Sequence, residues 1–139
     1  MKRLSFLLLP AAMLLTGCEN NAASYSIDES KNHSISLVRE QNLPWFGEVH
    51  QRFVIARFPE CQRRYDIAAT GTGMAKLDLY EVAPRLYAAQ QGKAWYALGT
   101  EQCVVQTFKP EDRPTSPPGR LVGSFVKKEG ALVFEPAVP

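Results

Sequence analysis

L-V-G-S-F-V-K-K-E-G-A-L-V-F-E, Leu121–Glu135, sets apolar, β-rich runs on both sides of Glu129-Gly130. A glycine-containing pair between two such runs is a hairpin signal. Counting outward from the turn pairs Val126 with Val133 and Phe125 with Phe134. The runs are too short for a core helix, so they point to an antiparallel fold rather than a bundle.

Upstream, Lys109–Gly119 reads K-P-E-D-R-P-T-S-P-P-G, with four prolines in eleven residues. That density excludes a packed strand or helix and predicts an exposed, extended loop of polyproline character. Before it, Val104–Phe108 reads as a strand. Leu86–Leu98 folds back around Gln91-Gly92, pairing Ala89 with Ala94, Ala88 with Trp95 and Tyr87 with Tyr96; a short helix from Pro84 capped by Gly92 is the competing reading.

The same alternation continues toward the N-terminus. Leu77 and Leu79 share one face, opposite Lys76, Asp78 and Tyr80, and Tyr65 and Ile67 share another. Phe53–Phe58 is a β-branched and aromatic run stopped by Pro59, although a helix starting at Pro44 competes there. Ile35, Leu37 and Arg39 alternate with Ser34, Ser36 and Val38. The expected architecture has seven or eight short strands. It is all-β (or β-rich α+β), a small antiparallel sheet, curled or a barrel-like sandwich, with at most one short helix.

The front of the chain is of another kind. Lys2 and Arg3 precede an apolar run, Leu4–Leu15, broken only by Ser5. That is the length of a signal-peptide apolar region and too short to span a bilayer. It ends in Leu15-Thr16-Gly17-Cys18, which resembles the lipobox of bacterial lipoproteins at every position. The resemblance covers the first 18 residues. It implies diacylglyceryl attachment at Cys18, cleavage before it, and membrane attachment through the lipid. Glu19 follows where Asp commonly marks inner-membrane retention, so the implied home is the bacterial cell envelope, at the outer membrane facing the periplasm. The resulting division is 1–17 cleaved signal peptide, 18–32 lipidated cysteine and flexible tether, and 33–139 a single β-rich domain with its Pro-rich loop at 109–119.

Removing Lys2 and Arg3 turns 16 basic against 14 acidic residues into 14 against 14. A neutral mature chain gives no support to a nucleic-acid partner. With Cys18 lipidated, Cys61 and Cys103 remain, and an oxidising compartment predicts a disulfide between them.

Chemistry-bearing motifs are sparse. Gly71-x-Gly73 lacks the third glycine and the following helix of a dinucleotide loop. His33 and His50 have no metal-ligand spacing, and no G-x-S-x-G nucleophile motif occurs. No cofactor or metal is expected. Arg52, Arg57, Arg63 and Arg64 crowd around Cys61, and guanidinium groups bind phosphate and carboxylate bidentately. As adjacent strand residues, Arg63 and Arg64 would face opposite ways. Trp45, Phe46, Trp95 and Tyr96 are candidates for an aromatic surface or for the core, and Pro114–Pro117 matches P-x-x-P. The expected function is a non-enzymatic envelope lipoprotein that binds or scaffolds another envelope component. The alternative is a binder of an anionic envelope ligand, lipid A phosphate or peptidoglycan carboxylate, through Arg57, Arg63 and Arg64; an enzyme with an unfamiliar site is the third.

Overall fold

The computed structural model describes residues 19–41, 47–68 and 75–139, with Glu19 and Asn20 described by their backbone alone. Cys18, Trp45, Phe46, Gly71 and Gly73 lie outside the described residues. The first sheet is a meander, β1 (Glu19–Ser26), β2 (His33–Gln41), β3 (Val49–Arg57) and β4 (Cys61–Ile67), paired antiparallel in chain order. The second contains β5 (Leu77–Ala83), β6 (Leu86–Gln91), β7 (Ala94–Gly99), β8 (Val104–Thr107), β9 (Arg120–Lys128) and β10 (Ala131–Pro136), in the order β10-β9-β5-β6-β7-β8. Two single turns of 3-10 helix, Ile27–Glu29 and Pro110–Asp112, complete the described elements. The two antiparallel sheets form an all-β sandwich and do not close into a barrel.

The inward faces follow the period-2 pattern. Ile35 and Leu37 of β2, Phe53 and Ile55 of β3, and Leu77 and Leu79 of β5 are fully buried together with Tyr87, Ala89, Tyr96, Leu98 and Phe125. Phe53 and Tyr96 meet edge to face across the sheets at 5.6 Å, and the cross-strand neighbours Phe125 and Phe134 meet edge to face within the second sheet at 5.0 Å. These offset geometries suit the aromatic quadrupole.

The β9–β10 hairpin has the register read from its sequence, Val126 opposite Val133 and Phe125 opposite Phe134. Glu129 and Gly130 both have positive φ, 51° and 81°, as a type I′ turn requires. The β6–β7 segment is a hairpin and not a helix, but its register differs by two residues: Gln91 pairs with Ala94, Ala89 with Tyr96 and Tyr87 with Leu98. Gly92, at φ 58°, is the first of the two loop residues, the place a type II′ turn assigns to glycine. A shift of two preserves every side chain's face, so the pattern alone could not distinguish the registers.

Residues 19–26 are a strand rather than part of a flexible tether. Every residue of β1 pairs with β2, from Glu19 opposite Gln41 to Ser26 opposite Ser34. Ladder hydrogen bonds at a sheet edge need no large side chains, and β1 contributes only Ala23 and Tyr25 to the packing around the core. Ile27 then inserts into the core.

The Pro-rich segment is extended, as its composition predicts, and it has an architectural task. β8 is an edge strand, while β9 pairs with β5 beyond β6 and β7, so the connection must cross the outer face of the sheet. Pro114–Pro117 lie over Tyr80, Gln90 and Trp95, and Trp95 stacks on Tyr80 at 5.8 Å. At its far end Gly119 sits so close to the Glu81 carbonyl that a Cβ there would overlap it.

Polar groups are buried at one end of the sandwich. Gln51 and Gln91 exchange amide hydrogen bonds of 2.9 and 3.0 Å between the sheets. Arg39, 1% exposed, donates from Nε to Gln51 Oε1 at 2.9 Å and from Nη2 to the Ala75 carbonyl at 2.5 Å. Gln51 also donates to the Ala68 carbonyl at 3.1 Å. At the other end, Cys61 and Cys103 form a disulfide with an S–S distance of 1.98 Å. It joins the start of β4, the edge of the first sheet, to the residue before β8, the edge of the second.

Candidate functional site

The disulfide end is where the backbone departs most from ordinary conformations. Among the described residues, five non-glycine residues have φ between 51° and 60°, and four are here: Asp28, Glu29, Arg85 and Cys103. An L-residue in the left-handed region costs about 1–2 kcal/mol, so each needs local support. Asp28 and Glu29 follow Ile27, whose burial fixes the turn, and Ser30 N–H closes it on the Ile27 carbonyl at 3.1 Å. Arg85 follows Pro84 in the two-residue β5–β6 turn. Its carbonyl accepts from Thr100 N–H at 2.9 Å, and its guanidinium pairs with Glu101. Cys103 is held by the disulfide.

A cleft of about 500 Å³ opens between the β1–β2 connection and the β5–β6 turn. Asp28, His33, Glu81, Arg85 and Tyr87 provide its polar and aromatic wall, over Ile27. His33, the first residue of β2, is hydrogen-bonded through Nε2 to Thr100 Oγ1 at 2.8 Å. Burial pushes its pKa below 6.5; Arg85 and Arg57 act in the same direction and Asp28 opposes them. The imidazole is therefore neutral at neutral pH. Burial raises the Tyr87 and Tyr25 phenols, Tyr87 further through Tyr25 and Glu81 and Tyr25 further through Glu81, so both keep their protons. Tyr87 donates to Glu81 at 3.4 Å, and Arg120 approaches the same carboxylate at 3.3 Å. Arg85 and Glu101 each favour the other's charged form, through their hydrogen bond first and their charges second.

The Thr100 hydroxyl beside His33 is fully buried and offers no accessible nucleophile. Among the described residues, no group of three or more His, Cys, Asp and Glu side chains could hold a metal ion. His50 is at the far end of the β2–β3 ladder, opposite Glu40, while His33 is opposite Arg57, so the two histidines do not meet.

The arginines around Cys61 do not share a patch. Arg57 donates to the Thr100 and Glu101 carbonyls at 2.9 and 2.6 Å and approaches Glu60 at 3.4 Å, bracing the turn beside the disulfide. Arg63 and Arg64 are exposed on opposite faces of β4, with Arg63 3.5 Å from the Tyr65 hydroxyl. Arg52 bridges Glu40 at 2.8 Å and Asp66 at 3.7 Å. Trp95 and Tyr96 also part company. Tyr96 is buried between the sheets, and Trp95 is beneath the proline segment.

The cleft residues other than His33 carry no motif: Asp28 comes from the β1–β2 connection, Glu81, Arg85 and Tyr87 from the β5–β6 hairpin, and Glu101, which pairs with Arg85, from the β7–β8 connection. The one local signal is Pro84-Arg85, a turn that needs positive φ without supplying a glycine. No family model, curated protein or solved structure matches the chain.

Proposed function

We propose that the chain is a non-enzymatic lipoprotein of the bacterial envelope, anchored through Cys18, whose sandwich binds another envelope component in the cleft beside Asp28 and Arg85. The observation that carries this reading is that two left-handed, non-glycine residues from separate turns, Asp28 and Arg85, line one cleft. Backbone conformations of that kind persist where surrounding structure holds them, and they cluster at binding sites. The Asp28 carboxylate and the Tyr87 ring provide an acceptor and an aromatic surface, while Glu101 already occupies Arg85. A partner presenting a hydrogen-bond donor or a cation next to an apolar group fits these walls.

The test is crosslinking in cells with a photoreactive residue at Val82, on the cleft rim, and at Arg64, on the outer face of the first sheet. The expected result is a discrete adduct from position 82 that Asp28→Ala weakens and position 64 does not give. No adduct from position 82, or the same adducts from both positions, would overturn the reading. Mass spectrometry of the membrane fraction should show a chain beginning at Cys18 and carrying acyl mass.

A further inference from the structure

The expected spacer between lipid and domain is missing, and this determines how the molecule would sit. A tether of fourteen residues would reach up to about 50 Å at roughly 3.5 Å per residue. Instead the β1–β2 ladder begins at Glu19, the residue after Cys18. Successive Cα atoms are about 3.8 Å apart. Acyl chains on Cys18 would hold its backbone at headgroup depth. Only the torsions of Cys18 and its thioether would remain to turn the domain.

We infer that the sandwich stands end-on upon the bilayer, with the end that carries Glu19, Gln41 and Val49 toward the lipid headgroups and its cleft end pointing away. This rests on the proposed lipidation of Cys18. Glu19, Gln41 and Val49 form one row across β1, β2 and β3 at the membrane end. The second sheet meets the same end through its β6–β7 turn, because Gln91 bonds to Gln51 two residues from Val49. The chain leaves that row along β1, whose eight residues advance about 25 Å at roughly 3.3 Å each. At the far end it enters Ile27–Glu29 and the cleft. Lying flat on the first sheet would instead bury the outward Glu40–Arg52–Asp66 ion pairs and Arg64 against lipid. Desolvating those charges is costly. The bilayer is therefore a partner for one end of the sandwich, and it presents the cleft to the space beyond the headgroups.

Two exposed lysines report on the two ends. Lys93 is in the β6–β7 turn, and Lys31 is in the β1–β2 connection beside the cleft. The full chain, purified in its membranes, is labelled with a water-soluble amine reagent and the rates are read by mass spectrometry. Membrane-bound wild type should label Lys93 several-fold more slowly relative to Lys31 than the released Cys18→Ser chain does. A ten-residue Gly/Ser insertion between Glu19 and Asn20 leaves the residue after the cysteine unchanged; it should keep the chain membrane-bound and abolish the protection of Lys93. An acylated, membrane-bound wild type with the labelling ratio of Cys18→Ser would overturn the orientation and leave the anchor standing. A wild type without acyl mass in the soluble fraction would overturn both.

Discussion

Gln51 joins the two sheets by polar contacts that depend on each other. Replacing it with alanine would take its bonds from the Arg39 Nε, the Ala68 carbonyl and the Gln91 amide, of which Gln91 keeps a 3.3 Å bond to the Ala75 carbonyl. A buried polar group deprived of its partner costs about 1–3 kcal/mol. Gln51→Ala should therefore move the urea midpoint far more than Gln62→Ala, an exposed change on the outer face of β4 expected within about 0.5 kcal/mol of wild type. Equal midpoints would show that the network contributes little. His33 makes a prediction in pH. Its pKa is lowered in the folded protein, mainly by burial, so the unfolded chain binds the proton more readily. The stabilisation is full above an unfolded value of about 6.5 and is lost as pH falls through the folded one. Between pH 7 and pH 5 the melting temperature of wild type should drop more than that of His33→Gln, whose acidic residues titrate alike. Parallel curves would contradict the neutral imidazole.

At the scale of elements, the disulfide fastens the two sheets at the edges β4 and β8, across a separation of 42 residues. In the chain-entropy model a loop of that length is worth about 4 kcal/mol. Cys61→Ala with Cys103→Ala should lower the denaturant midpoint by a corresponding amount and leave the strand content by circular dichroism unchanged. A loss below about 1 kcal/mol would place the stability in the core alone. Which elements could be read in advance follows from their physics. The β9–β10 hairpin was legible because its glycine, its turn and its aromatic pairs agree. The alternation of Ile35, Leu37 and Arg39 was legible too, but not the deep burial of Arg39, because Gln51 and Ala75 are remote in sequence. β1 escaped notice because an edge strand is held by its backbone, and its inward positions include Ala23 rather than a large apolar residue. The cleft escaped because tertiary structure alone assembles it. Its one chain-local trace is the left-handed Arg85 after Pro84.

For the whole molecule, the two sheets are built from contacts of different range. The first sheet is a meander in which every strand pairs with its neighbour in sequence. The second is incomplete until the proline segment has crossed the sheet's outer face and β9 has set Phe125 opposite Leu77. Local pairings close quickly and distant ones slowly. A chain handed out from its N-terminus can complete the first sheet early, while β5 waits with one open edge for residues 120–128. Unpaired strand edges recruit other chains. A chain ending at Gly119 should consequently form oligomers or precipitate at concentrations where the full chain is monodisperse by light scattering, and a monodisperse truncated chain would refute this. The long detour of the proline segment thus sets a timetable: the interval of greatest vulnerability during synthesis is the one in which β5 exists and β9 does not.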